Sequence, residues 1–140
     1  MNDLMSWEEC NRKFIRKVSP DKEKVKSIKA LAVKRWKFIN SIPVKEDNAS
    51  FIFDLYYEVI KELLIALMLK NGMRSKNHQC LFAFFAKEHD YEAEINIIKQ
   101  MNYLRNRLDY YAEEIEFAYF KNNRKEFEAI IKLLIKLIDK

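Results

Sequence analysis

The stretch FIFDLYYEVIKELLIALMLK, residues 51–70, decides how this chain folds. Apolar side chains fall on nearly every face of its helical projection, and between Phe51 and Leu69 only Asp54, Glu58, Lys61 and Glu62 interrupt them. A surface helix would leave those Phe, Ile and Leu side chains in water, so the segment belongs at the centre of a bundle or at a subunit interface. It is not a membrane span, because each of the four charges is costly at a bilayer centre. Asp54, Glu58 and Glu62 repeat every four residues and share one narrow stripe, either a wetted edge or a wall of a site. Ser50 stands where a helix cap is wanted, and Asn71-Gly72 supplies the stop.

Working outward, Ser6 with Glu9 fits a capping box that opens a short helix to about Val18. Ser19-Pro20 repeats the signal for a long helix to about Asn40. In that helix Val25, Ile28, Ala32, Trp36 and Ile39 mark the buried stripe, and Lys22, Lys26, Lys29 and Lys37 form a solvated face. Ser41 to Asn48, with Pro43, reads as a connection. On the other side, Ser75 to Asn77 begins a shorter helix carrying Leu81, Phe82, Phe84 and Phe85, which is expected to end near His89-Asp90. A fifth helix runs from Tyr91 to Asp109 or Tyr110, with Ile97, Met101, Leu104 and Leu108 as its stripe and Arg105 beside it. Tyr111 to Asn122 fits either more helix or an ordered loop. Asn123 with Glu126 can start the last helix, on which Phe127, Ile130, Ile131, Leu134 and Ile138 keep a helical period.

One glycine and two prolines in 140 residues leave turn-rich β architectures little to work with, while 49% hydrophobic residues suffice for a real core. The expected architecture is all-α, an up-and-down bundle of five to six helices in one domain, residues 1–140, with residues 1–19 as a short helical extension. Cys10 and Cys80 are far apart, and no basic start and apolar run mark a signal peptide, so a reduced, cytoplasmic chain is expected. A net charge of +5 and a pI near 9.1 fit weak attraction to polyanions. No metal or cofactor signature is present: His78 and His89 do not have ligand spacing, and a lone glycine cannot form a phosphate cradle.

The distinctive motif is LRNRLDYY, residues 104–111, preceded by Met101-Asn102-Tyr103 on the same helix. Arg105-Asn106 resembles the opening of the motif of HEPN domains, small helical bundles in which an arginine and a polar residue precede a histidine. Where the ribonucleases of that family place histidine, this chain offers Tyr110 or Tyr111. The aromatic run Phe51 to Tyr57, and Asn77-His78 opening a phenylalanine-rich helix, also follow the family order. The similarity covers roughly Lys22 to Lys140, in the order of elements more than in residue identity.

The resemblance implies a homodimer in which Arg105 binds phosphate. Asn102, Asn106, Tyr110 and Tyr111 would complete a nucleotide or RNA site, and a separately encoded minimal nucleotidyltransferase would be a partner in a toxin–antitoxin-like or defence system. A tyrosine with a pKa near 10 is poorly matched to moving protons at neutral pH, which favours a non-catalytic binding domain. The alternatives are a metal-independent endoribonuclease toxin using Arg105 and Tyr110, and a purely structural dimerising bundle. Residues five apart on a helix are turned by about 140°, so Arg105 and Tyr110 share a site only if the helix ends near Asp109 or a second subunit contributes. The ordinary reading pairs Arg105 with Asp109 and lets Tyr110 and Tyr111 cover the core. His78 reads as a capping or packing residue.

Overall fold

The all-round apolar segment ends up where its composition requires, surrounded by the rest of the chain. The computed structural model describes residues 4–88 and 90–140. In chain order these form α1 (Trp7–Lys13), β1 (Arg16–Lys17), α2 (Lys22–Asn40), α3 (Ala49–Lys70), β2 (Met73–Arg74), α4 (His78–Glu88), α5 (Glu92–Tyr111) and α6 (Phe117–Asp139). The fold is an all-α helical bundle, with α2, α4, α5 and α6 all packed on α3. Ile52, Phe53, Tyr56, Tyr57, Val59, Ile60, Leu63 and Leu64 of α3 are all buried, so successive faces of one helix supply the core. Among the described residues no helix is long and apolar enough to cross a membrane.

Several boundaries move for identifiable reasons. Ser6 does cap α1, accepting from Glu9 N, but the helix stops at Lys13 rather than near Val18. Phe14 N and Ile15 N both turn back to Cys10 O, and the chain then enters a short antiparallel ladder, Arg16 opposite Arg74 and Lys17 opposite Met73. The ladder is closed by Val18 N donating to Gly72 O at 2.9 Å. Gly72 is the residue the turn requires, since φ is 76° and an added Cβ would meet Val18 O at 3.1 Å. Asp21, not Ser19, caps α2 by accepting from Lys24 N at 3.0 Å.

Ser50 is not a cap. It lies inside α3, buried, and its Oγ accepts from Ile115 N at 2.8 Å. That bond pins residues 112–116, the segment that the sequence leaves open. α5 continues to Tyr111 and is closed by Ala112 at φ 54°, with Glu113 N returning to Arg107 O. The chain then runs extended past buried Ile115, and α6 begins at Phe117 rather than at Asn123. Asn123 sits within α6, its amide donating to Tyr119 O. α4 is described to Glu88, and the expected end at His89 lies outside the described residues.

The two cysteines correct a second expectation. Cys10 and Cys80 are not free thiols but a disulfide between α1 and α4, with Cα atoms 5.5 Å apart and both residues buried. A separation of 70 residues in sequence says nothing about distance once α1 lies along α4.

Candidate functional site

Helical spacing on α3 sets Asp54, Glu58 and Lys61 along one side, with Tyr57 between them. α4 presents His78 as its first residue, and Asn77 Oδ1 steadies that end by accepting from Cys80 N. α5 supplies Asn102, Arg105 and Asp109. These three helices converge on the Tyr57 hydroxyl, which is 3.0 Å from His78 Nδ1 and donates to Asn102 Oδ1, also at 3.0 Å. Because the phenol gives its single proton to Asn102, Nδ1 of His78 is the nitrogen that carries a proton, and the lone pair is left on Nε2. Nε2 has no partner among the described residues.

The electrostatics give each group one role. Burial, followed by the nearby cations Lys61 and Arg105, lowers the pKa of His78 below 6.5 against the opposing pull of Glu58. The imidazole is therefore neutral at neutral pH. Burial raises the Tyr57 pKa, more than offsetting Arg105, so this residue works as a fixed phenol and not as a base. The Arg105 guanidinium lies 4.9 Å from the centre of the Tyr57 ring. Its Nε is 3.3 Å from both Asp54 and Asp109, and Nη2 is 3.4 Å from Glu58. Lys61 also pairs with Glu58, at 2.7 Å. The ordinary Arg105–Asp109 pair is thus present, with two more acids added, and a phosphate reaching Arg105 has to displace a carboxylate.

On the other side of His78 and Lys61 lies a groove of about 1010 Å³. Its cations are Lys13, Arg16, Lys24, Lys61, Arg74 and Lys76, and among the described residues no Asp or Glu lines it. Its floor is apolar, from Phe14, Ile28, Ile65, Met68, Leu69 and Leu81. Among the described residues no cluster of His, Cys, Asp and Glu could hold a metal ion.

Of the residues singled out from sequence, Asn102 and Arg105 meet in this cluster and three others do not. α5 is unbroken through Tyr111, so Tyr110 turns away from Arg105 and is 78% exposed. Tyr111 is exposed as well, its ring 4.6 Å from the Arg107 guanidinium, which is held by Glu113. Asn106 is half-buried, and its side chain has no hydrogen bond to the described residues. Sequence reasoning missed Tyr57 and gave His78 no role beside Arg105. The available signal was Tyr57 standing three residues after Asp54, on the flank of the acidic stripe. No protein-family model, curated protein or solved structure matches the chain.

A pH experiment tests the His78 environment. The folded state holds the imidazole neutral at pH values where the unfolded chain already protonates it, so this contribution to stability is complete above pH 6.5 and is lost as pH falls through the lower folded value. The expected result is a loss of denaturant stability in the wild type as pH is lowered from about 7 to about 5, with a shallower loss in His78→Gln. Parallel slopes for the two proteins would refute it.

Proposed function

We propose that this chain is a HEPN-like domain that binds a nucleotide or an RNA end in the groove beside His78. In this proposal it acts as a homodimer beside a separately encoded minimal nucleotidyltransferase, in a toxin–antitoxin-like or defence system. The observation that carries the reading is His78, 3.0 Å from the Tyr57 hydroxyl through Nδ1, lining a groove with six cations and, among the described residues, no carboxylate. Phosphate then sits against His78, Lys61 and the groove cations. Arg105, enclosed by three acids, positions Tyr57 and Asn102 instead of gripping the ligand. The exposed Tyr103, Tyr110 and Tyr111 on α5 support the homodimer, since clustered tyrosines are favoured at interfaces.

The same histidine favours a second reading, a metal-independent endoribonuclease. A neutral imidazole with a free Nε2 can take the proton of a ribose 2′-hydroxyl as that oxygen attacks phosphorus and the bond to the 5′-oxygen breaks, the departing oxygen taking a proton from water and a 2′,3′-cyclic phosphate remaining; the tyrosines after Arg105 cannot act as that base near neutral pH. One experiment separates the readings. Purified protein is titrated with mono- and triphosphate nucleotides and incubated with mixed-sequence RNA in EDTA, beside His78→Ala and Arg105→Lys. Binding weakened at least about tenfold in His78→Ala, without RNA cleavage, is the expected result. Cleavage abolished in His78→Ala would promote the ribonuclease. Failure of the wild type to bind any nucleotide or RNA would leave the structural bundle.

A further inference from the structure

The small ladder between β1 and β2 sets two arginines against each other. Arg16 is the register partner of Arg74. Residues directly opposite on an antiparallel pair point to the same face with Cβ atoms about 5 Å apart, and like charges in that position destabilise the pairing. A ladder of two rungs has little to set against that cost. Yet among the described residues the side chains of Arg16, Arg74, Lys24 and Lys76 make no ion pair, and all four line the groove. The other two groove cations do have acids on their own helices, Glu9 for Lys13 and Glu58 for Lys61.

The arrangement is also held in place. The Val18–Gly72 hydrogen bond closes the ladder on one side, Gly72 leaves no room for a side chain beside Val18 O, and the Cys10–Cys80 disulfide fixes α1 just upstream of β1. Four groove cations without an ion-pair partner among the described residues exceed what a single phosphate monoester, at most doubly charged, can neutralise. Two guanidinium forks side by side offer paired donors to the oxygens of adjacent phosphates.

We infer that Arg16 and Arg74, flanked by Lys24 and Lys76, form a clamp for a chain of two or more phosphates, such as the di- or triphosphate of a nucleotide or of an RNA 5′ end. The clamp rests on the reading of this groove as the ligand site and adds which part of the ligand is gripped. It selects oligophosphate over monophosphate because only a longer anion spans both guanidinium groups. Binding also offsets the Arg16–Arg74 repulsion that the empty ladder carries.

The test is calorimetric titration of the full chain with inorganic tripolyphosphate, a nucleoside triphosphate and a nucleoside monophosphate. The proteins are the wild type, Arg16→Gln/Arg74→Gln, and the charge-matched control Lys132→Gln/Lys136→Gln on the exposed side of α6. Tripolyphosphate and the triphosphate are expected to bind the wild type and to lose at least about tenfold in the arginine variant, with less than about twofold lost in the control. Without ligand the arginine variant is expected to melt higher than the wild type, which also shows that it folds. Equal losses in variant and control, unchanged affinity in the variant, or no preference for triphosphate over monophosphate would overturn the clamp. Tripolyphosphate binding with no nucleotide binding would keep the clamp and refute the nucleotide reading. Monophosphate binding lost in His78→Ala, with triphosphate binding indifferent to Arg16 and Arg74, would do the reverse.

Discussion

Reduction of the Cys10–Cys80 bridge is expected to lower the unfolding free energy by about 4 kcal/mol, the chain-entropy value for releasing a loop of the 70 residues it spans. α1 relies on the bridge more than the longer helices do. It is seven residues long, too short to be stable alone, and its tertiary anchors besides the disulfide include Trp7 tilted against Phe84 with ring centres 5.9 Å apart and Lys87 over the Trp7 ring at 5.0 Å. Guanidinium denaturation with and without reductant measures the change, and Cys10→Ala/Cys80→Ala serves as a reductant-insensitive reference. Equal midpoints in both conditions for the wild type would rule out a stabilising bridge.

Replacing Phe127 by alanine is expected to cost about 3–5 kcal/mol, the range for emptying an aromatic from a closed core. Phe127 is fully buried where α6 meets α3. Its ring centre lies 5.8 Å from those of both Phe53 and Tyr56, 6.2 Å from Phe120 and 6.4 Å from Tyr119. Polar groups border this cluster and restrict collapse into the cavity. Tyr56 Oη donates to Glu128 at 2.8 Å and receives from Arg124 Nε at 3.0 Å, and its pKa is pushed up to about 12, chiefly by burial. The neighbouring rings are therefore tethered and cannot simply slide into the space. Phe38→Ala on α2, where the side chain is 62% exposed, should change stability by less than about 0.5 kcal/mol in the same assay. Similar losses for the two variants would contradict this account of the core.

What could be read from the residues alone was whatever depends on neighbours a few positions away. The all-round apolar character of residues 51–70 announced a helix at the centre of a bundle or at a subunit interface, and α3 lies at the centre. Ser6 and Asn71-Gly72 behaved as local chemistry demands, whereas Ser50 did not, because its hydroxyl found a better use on a backbone N–H 65 residues later. The start of α6 was missed for the same reason: Asn123 and Glu126 look like a helix start, but the capacity of Ile115 to be buried and Ser50 to hold it decides where the extended segment ends.

The candidate site divides along the same line. Asn102, Arg105 and Asp109 lie on one stretch of α5, so their kinship was visible. That Asp54 and Glu58 form the opposite wall was half visible in their spacing. The Tyr57–His78 contact joins residues 21 apart, and the Tyr57–Asn102 bond residues 45 apart. Nothing in periodicity says which helix lies beside which, and so the histidine that fills out the cluster could not be assigned. The Arg16–Arg74 opposition was equally hidden, because two-residue strands leave no alternating pattern to detect.

The junction of α3 with α6 has a consequence for biosynthesis. α3 leaves the ribosome long before α6 has been translated, and the faces of Phe53 and Tyr56 that α6 later covers with Phe120 and Phe127 have no cover in the interval. The nascent polypeptide thus carries a nearly continuous oily helix in search of any apolar surface. Emergence of residues 117–139 and their docking on α3 end that exposure, and a chaperone that shielded residues 51–70 until then would guard the stage at which this protein is most prone to aggregate.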